Sequence, residues 1–247
     1  NGKLLGSFGD MASCSFYPAH HMTLGEGGFV ACNNKLQEKI VRSLRDWGRG
    51  CYCVGKKASM SKEGMCGCRF SNWLEAFPDE IFDHKYCYSE IGYNLKPLEL
   101  QCSIGLEQIK KLPEIHEKRI HNYNRLHSLF SKYEEFFILP KATENAEVSW
   151  FAFPLTIKDG SPFKRSDICG YLEDNKIQTR NYFGGNLLLQ QMYKEFVKNI
   201  GYEKIKEMYP NATKVTTDTF FLGVSPVITN EQIDYVETMV EKFMSNF

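Results

Sequence analysis

The sequence contains the stretch Ser15-Phe-Tyr-Pro-Ala-His-His-Met-Thr-Leu-Gly-Glu-Gly-Gly28, which has polar residues and glycines where an ordinary core segment has aliphatic ones. Pro18 favours an extended residue before it and cannot donate to a β-ladder. The pattern therefore predicts a strand followed by a loop that carries His20 and His21. The glycines allow positive φ angles and close backbone approach. A loop histidine is a candidate general base, although paired histidines on loops are commonly only solvated.

The composition indicates a globular protein. The chain has 247 residues, 43% of them hydrophobic, and a formal net charge of zero, so it has no electrostatic signature for nucleic acid or an anionic membrane. No apolar run approaches the roughly 18 residues of a membrane span, and no secretory leader opens the sequence. We expect a cytoplasmic protein that binds neither nucleic acid nor membrane. Because the chain starts at Asn1 in what reads as a folded segment, we also expect further sequence upstream.

Residue spacing predicts mixed helices and strands, and therefore an α/β or α+β protein without internal repeats. Asn33 or Asn34 caps a predicted helix that runs through Asp46. A second helix opens at Pro97 and ends before Pro113, and a boundary is expected near 97–113. The other predicted elements are helices over 114–133, 166–173, 193–200 and 231–243 and strands over 149–157, 177–181 and 219–224.

Nine cysteines are distributed along the chain, and their odd number argues against a disulfide framework. Cys51-x-Cys53 and Cys66-x-Cys68 place four thiols within residues 51–68. Thiolates select zinc, copper(I) or iron–sulfur clusters, and the pattern alone does not say which. Free thiols in a loop are the remaining interpretation.

The opening stretch resembles the cofactor-anchoring motif of the DegT/DnrJ/EryC1/StrS family of sugar aminotransferases and dehydrases, which are fold type I pyridoxal phosphate (PLP) enzymes. In the aminotransferases a lysine five positions before Gly25-Glu-Gly-Gly28 forms the Schiff base with the cofactor, and here that position is His20. The same replacement marks the nucleotide-sugar 3-dehydrases, which use pyridoxamine phosphate (PMP). The resemblance implies that His20 is the base and that the C3 hydroxyl of a 4-keto sugar is expelled.

The resemblance also implies a domain organisation. Residues 1–96 correspond to the C-terminal part of the PLP-binding large domain and include the cysteine loop 51–68. Residues 97–247 correspond to a linking helix and a small C-terminal α+β domain.

Two subclasses of these dehydrases share the histidine. One acts on GDP-4-keto-6-deoxymannose and carries no cluster. The other, CDP-4-keto-6-deoxyglucose 3-dehydrase, holds a [2Fe-2S] cluster and takes electrons from a separate NADH-dependent flavin and iron–sulfur reductase. The segments similar to the second subclass are Arg45–Cys53, Cys66–Phe70, Asp83–Tyr86, Ile91–Lys96 and Ser149–Pro154.

The similarity to the second subclass implies a set of metal ligands. Cys51, Cys53 and Cys66 fall on three cluster ligands, and the fourth is expected upstream of residue 1. Cys68 stands where a lysine is usual, so we expect it to be a bystander unless it substitutes for the missing ligand.

The resemblance further implies binding roles. Ser15 binds the cofactor phosphate, and Asn94 reaches the phosphate of the neighbouring subunit, which implies a homodimer with shared sites. Lys96, Arg180 and Asn186 are expected to contact the substrate or its pyrophosphate.

The function that follows from the resemblance is C3 deoxygenation of CDP-4-keto-6-deoxy-D-glucose in 3,6-dideoxyhexose (O-antigen) biosynthesis. Two alternatives remain open at this point, a cluster-independent GDP-4-keto-6-deoxymannose 3-dehydratase and a non-enzymatic zinc-binding domain. The resemblance covers only the C-terminal part of the family's length, so we expect an isolated fragment to be inactive.

Overall fold

A computed structural model describes residues 2–51, 69–71 and 74–247. Two compact units are present, residues 2–110 and residues 111–247. The predicted division between residues 96 and 97, which assigns the linking helix to the small domain, stays a prediction. Within the described ranges, no helix combines the length and apolar character needed to cross a membrane.

The first unit begins with an antiparallel hairpin of β1 (Met11–Ser15) and β2 (Gly28–Cys32). The register pairs Ser15 with Gly28, the last pair of the hairpin before the connecting loop. The strand, loop and glycine turn follow in the predicted order. Two short strands, β3 (Phe70–Ser71) and β4 (Phe82–Asp83), pair later in this unit.

The predicted first helix is confirmed as α1 (Lys35–Arg45). The side chain of Asn34 accepts a hydrogen bond from the backbone N–H of Gln37 at 2.9 Å, which satisfies one of the open donors at the helix start. Asp46 caps the end of the helix, where it was predicted to stop.

The prediction of two helices separated by Pro113 is wrong. A single 33-residue helix, α2 (Glu99–Ser131), contains Pro113 and begins two positions after Pro97. Proline removes one backbone donor and strains the preceding turn, but it does not end a helix whose flanks are otherwise stabilised. The C-terminal half of α2 has such support, because Leu126 and Phe130 are buried in the core of the second unit.

The second unit contains a four-stranded antiparallel sheet in the order β5-β6-β8-β7. The strands are β5 (Phe137–Ile138), β6 (Ala152–Ile157), β7 (Arg180–Asn181) and β8 (Thr219–Gly223). The helices are α3 (Arg165–Asp174), α4 (Lys194–Val197), α5 (Tyr202–Met208), α6 (Pro210–Asp218) and α7 (Asn230–Met244). Fully buried core residues include Phe130, Phe153, Leu155, Ile168, Phe220 and Val240.

Two predicted strands are shorter than expected because side chains capture their backbone groups. The carbonyl of Phe151 accepts from buried Arg119 at 2.9 Å, and β6 starts only at the next residue. The backbone N–H of Thr179 donates to the Glu173 carboxylate, so β7 is confined to Arg180–Asn181.

The helices of the second unit agree with the sequence predictions in part. The predictions over 166–173 and 231–243 are confirmed by α3 and α7. The prediction over 193–200 survives only as α4, because the chain turns at Gly201, whose φ is 85°. Helices α5 and α6 were not predicted.

Candidate cofactor site

A tight turn carries His20 away from the end of β1. The backbone N–H of His20 donates to the carbonyl oxygen of Tyr17 at 2.9 Å, so Pro18 and Ala19 form the corners of a β-turn. Proline suits the first corner because its φ is already fixed there. The rings of Tyr17 and His20 pack edge to face with centroids 5.9 Å apart. The structure therefore places His20 on a loop, as the sequence predicts.

The main chain of β1 orients the imidazole ring of His20. Its Nδ1 atom lies 3.2 Å from the carbonyl oxygen of Ser15. A carbonyl oxygen only accepts hydrogen bonds, so Nδ1 is the donor. In a neutral ring, a proton on Nδ1 leaves the basic lone pair on Nε2. The geometry thus makes Nε2 the nitrogen of His20 that can accept a proton.

The hydroxyl of Ser15 is exposed beside the same turn. It accepts a hydrogen bond from the backbone N–H of Tyr17 at 3.3 Å. Because a serine hydroxyl carries one proton in addition to its lone pairs, this bond leaves the proton for donation to another group. The donor chemistry suits an anion such as a phosphate ester.

The glycine turn closes the loop before β2. The Thr23 hydroxyl accepts from the backbone N–H of Gly25 at 2.9 Å, and the φ angles of Gly25 and Gly27 are 80° and 148°. A Cβ atom at Gly28 would lie 2.6 Å from the carbonyl oxygen of Cys14, which is closer than real atoms approach. The hairpin therefore requires glycine at position 28.

A second polar group, which we call the Lys96 cluster, consists of Asp46, Trp47, Asn94 and Lys96. The ammonium group of Lys96 donates to Oδ1 of Asn94 at 2.6 Å and to Oδ1 of Asp46 at 3.0 Å. The same ammonium lies 3.4 Å from the centroid of the Trp47 ring, in a cation–π contact. Lys96 is therefore engaged by three neighbours of its own unit.

The backbone holds the Lys96 cluster in place. An isolated antiparallel bridge pairs Asp46 with Asn94, and the N–H of Trp47 donates to the carbonyl of Tyr93 at 2.8 Å. The two backbone segments approach so closely that a Cβ atom at Gly92 would lie 2.2 Å from the backbone nitrogen of residue 48. The position of Asn94 is thus set by the end of α1.

The sequence profile of the DegT/DnrJ/EryC1/StrS aminotransferase family matches residues 1–241. The chain belongs to this family. The predicted fold class, an α/β fold type I PLP-dependent transferase, is confirmed by this match and by the solved structures that share the fold.

Two curated proteins are similar over nearly the whole chain. The lipopolysaccharide biosynthesis protein RfbH of Salmonella typhimurium strain LT2 is 40% identical over 98% of the chain and 53% of its own length. A dTDP-4-dehydro-2,6-dideoxy-D-glucose 3-dehydratase of Saccharopolyspora spinosa is 38% identical over 99% of the chain and 50% of its own length. The chain therefore spans about half the length of these relatives.

A solved structure shares the fold. The structure of E. coli GDP-4-keto-6-deoxy-D-mannose-3-dehydratase with bound hydrated PLP superposes with a TM-score of 0.70. It is 24% identical in sequence, and the match covers 97% of the chain and 56% of that structure.

The two site residues predicted in the second unit lie in different environments. Arg180 is exposed on β7, opposite Phe221 of β8. Asn186 is only 5% exposed, and its side chain accepts from the backbone N–H of Leu188 at 3.2 Å while its amide donates to Thr213 at 3.4 Å. The side chain of Asn186 therefore caps the turn at Leu188, and substrate contact by either residue stays a prediction.

Most of the predicted cluster site lies outside the described residues. Cys51 is described and is half-buried, whereas Cys53, Cys66 and the neighbouring Cys68 are not described. In the part of the chain that the structure describes, no group of three or more histidine, cysteine, aspartate or glutamate side chains is arranged to hold a metal ion. The cluster stays a prediction.

An ion pair fixes the chain just after the cysteine segment. The Arg69 guanidinium donates twice to Oδ2 of Asp83, at 2.7 and 3.0 Å. These hydrogen bonds lower the pKa of the Asp83 carboxyl below its ordinary value. Before the segment, the N–H of Gly50 donates to the carbonyl of Cys87, and burial raises the pKa of the Cys87 thiol. The described residues on both sides of the segment are therefore bound to residues 83–87.

The sequence does not reveal Asp46 and Trp47 as members of the Lys96 cluster, because the bridge between residues 46 and 94 is non-local and has no local pattern. Sequence reasoning also missed the hydroxyl of Thr23. A threonine two positions before a turn glycine is a known turn-forming signal and could have identified that residue.

Proposed function

We propose that the full-length protein containing this chain is a PMP-dependent nucleotide-sugar 3-dehydrase in which His20 is the base. The observation that carries the proposal is the orientation of His20, in which Nδ1 donates to Ser15 and the basic lone pair of the neutral ring therefore lies on Nε2. The residue occupies the position at which the aminotransferases of the family have lysine. Imidazole forms no Schiff base with pyridoxal, so this site suits a cofactor that brings its own amine.

The donor set fits the phosphate of such a cofactor. Ser15 offers a hydroxyl proton, and Asn94 offers an amide NH2 group because its oxygen is taken by Lys96. Because both donors are neutral, they can bind neighbouring phosphate oxygens without repelling each other. In this proposal Asn94 serves the site of the neighbouring subunit, so the active protein is a homodimer.

The chemistry requires a base and a leaving group. When bound, PMP supplies an amine that condenses with the 4-keto group of the sugar and a methylene carbon that can lose a proton. His20 accepts that proton at Nε2, and the C3 hydroxyl is expelled and leaves as water after taking up one proton. The hydrogen bond from Nδ1 to Ser15 keeps the ring oriented while Nε2 is protonated.

We further propose that the substrate is CDP-4-keto-6-deoxy-D-glucose and that the full-length protein holds a [2Fe-2S] cluster. Completion of the 3-deoxy sugar would then require two electrons and two protons, and a bound cluster would supply a one-electron carrier between the site and an NADH-dependent flavin and iron–sulfur reductase. Support comes from the similarity of the cysteine segment, in which Cys51, Cys53 and Cys66 are the expected ligands. The family match over 1–241 extends far beyond that segment and argues against an independent zinc-binding domain.

Metal analysis combined with substrate assays tests this function. The full-length protein, purified without oxygen, is expected to contain iron and sulfide in equal amounts and to deoxygenate the CDP-linked 4-keto-6-deoxyhexose only with a reductase present. The GDP- and dTDP-linked sugars are assayed in parallel. Turnover of the GDP sugar by an iron-free protein without a reductase would support the cluster-independent alternative, and stoichiometric zinc would support a zinc site. Absence of C3 deoxygenation with all three sugars would reject the proposal.

A further inference from the structure

The hydrogen bond between Lys96 and Asn94 fixes the orientation of an amide. The Nζ atom of Lys96 lies 2.6 Å from Oδ1 of Asn94. An ammonium group only donates, so the amide oxygen must face it. The NH2 group of Asn94 then lies in the same plane on the opposite side of the Cβ–Cγ bond, where its two N–H bonds can be donated to an acceptor.

The ammonium group of Lys96 is already engaged by neighbours in its own unit and has no further N–H bond to donate to a ligand. Its three N–H bonds are matched by three neighbours, Oδ1 of Asn94, Oδ1 of Asp46 at 3.0 Å and the ring of Trp47 at 3.4 Å. Asp46 balances the positive charge. Arg49 also faces this group, since its guanidinium lies 4.8 Å from the Trp47 ring and 3.9 Å from the Asp46 carboxylate.

The backbone around Asn94 is tied on both sides. The N–H of Tyr93 donates to Leu44 at 2.7 Å, and the N–H of Leu95 donates to Arg45 at 2.9 Å. These bonds locate the Cα atom of Asn94, whereas the direction of its amide depends on Lys96. A substitution of Lys96 can therefore change the direction of the Asn94 amide without moving its Cα atom.

We propose that Lys96 is a positioning residue that holds the Asn94 amide so that its NH2 group donates to the cofactor phosphate. This inference rests on the proposed function and replaces the substrate contact that the resemblance implied for Lys96. Without the ammonium, the amide can rotate and present its oxygen, which repels a phosphate. The effect of Lys96 is therefore transmitted entirely through Asn94.

A double-mutant cycle on the full-length apo-enzyme tests the inference. Equilibrium binding of PMP is measured for wild type, Lys96→Met, Asn94→Ala and the double variant, with pyridoxamine as the probe that lacks the phosphate. Each single variant is expected to weaken PMP binding on the order of tenfold, the double variant no more than Asn94→Ala, and pyridoxamine binding is expected to stay unchanged. Lys110→Met is the control, because Lys110 pairs with Glu107 on the exposed surface of α2.

Several outcomes would overturn the inference. Additive losses would show that Lys96 acts on the ligand directly. Unchanged PMP binding by Lys96→Met with a raised KM for the nucleotide sugar would show a substrate contact. Unchanged binding by Asn94→Ala would reject the roles of both residues, while the function of His20 would still be decided by its own variants.

Folding defects are separated from loss of the donor by a further variant. Asn94→Asp keeps an acceptor for Lys96 but has no N–H group, so it is expected to retain wild-type unfolding behaviour and to bind PMP at least as weakly as Asn94→Ala. Wild-type PMP binding by Asn94→Asp would contradict the inference.

Discussion

The Nδ1 atom of His20 and the carbonyl oxygen of Ser15 lie 3.2 Å apart across the turn that leaves β1. The same serine presents its hydroxyl beside this bond. One residue therefore offers a hydroxyl donor, which we assign to the cofactor phosphate, and a carbonyl that sets the tautomer of the proposed base. Both depend on the turn at Pro18 and on the glycines that return the chain to β2.

Replacement of His20 by lysine should convert the site toward that of an aminotransferase. His20→Lys in the full-length enzyme is expected to lose C3 dehydration by about 100-fold or more, because a general base commonly contributes that much. It should also gain covalently held pyridoxal, measured by absorbance and by protein mass after borohydride reduction. Lys35→Arg, outside the turn, is the control and should keep the parent rate. A His20→Lys variant that dehydrates at the parent rate would show that His20 is not the base.

Gly92 should tolerate no side chain. Because a Cβ atom there would lie 2.2 Å from the backbone nitrogen of residue 48, we expect Gly92→Ala to reduce the free energy of unfolding by about 2 kcal/mol or more. Gly170 in α3 is the matched control, since a Cβ atom there meets nothing within 4 Å and alanine should stabilise the helix by about 0.5–1 kcal/mol. Urea unfolding measures both variants. Equal stability of the two would contradict the close approach of residues 48 and 92.

Asn186 and Arg180 should respond differently to substitution. Asn186→Ala removes a buried cap on the turn at Leu188, so it should cost about 1–2 kcal/mol of stability. Arg180→Gln changes an exposed side chain and should leave stability within about 0.5 kcal/mol while raising the KM for the nucleotide sugar. Thermal unfolding and steady-state kinetics separate the effects. A stable Asn186→Ala variant with a raised KM would favour the substrate contact that the resemblance implies.

The ion pair of Arg69 and Asp83 should make stability depend on pH in the acid range. The pKa of Asp83 lies below its ordinary value of 3.8 in the folded protein, mainly because Arg69 donates to it. The stabilisation is therefore present above pH 3.8 and is lost as the pH falls through the folded-state pKa.

Comparison with Asp83→Asn measures this dependence. The variant should unfold at lower urea than wild type at pH 7, and the difference should shrink below about pH 4. Glu107→Gln, at an exposed helix pair, should differ little from wild type at either pH. A difference for Asp83→Asn that grows toward low pH would have the wrong sign.

The sequence predicted much of the local structure because the signals were local. Pro18 with the glycine run defined the loop, and Asn34 defined the start of α1. The sequence pattern does not reveal the hydrogen bonds from Arg119 to the carbonyl of Phe151 and from the N–H of Thr179 to Glu173, so it predicts β6 and β7 longer than they are. Pro113 predicts a helix end because proline removes one backbone hydrogen bond, but the packing of the C-terminal half of α2 supports the helix through it.

The candidate site was predicted less completely than the fold. Ser15 and His20 lie five positions apart in one motif, the stretch Ser15–Gly28, so the sequence identifies both. Asn94 pairs with Asp46 across a non-local bridge, which leaves no signature in either segment. The side chain of Lys96 donates to Asn94 and Asp46, and its predicted contact with the substrate stays a prediction.

The most direct test of the central claim is proton transfer at Nε2 of His20. Full-length enzyme is loaded with PMP deuterated at the methylene carbon, and the release of deuterium to solvent is followed after addition of the 4-keto sugar nucleotide. The comparison is with His20→Asn, whose amide can replace Nδ1 as donor to Ser15 but has no counterpart of Nε2. We predict rapid release by wild type and at least about 100-fold slower release by the variant. Release by His20→Asn at the wild-type rate would contradict the account.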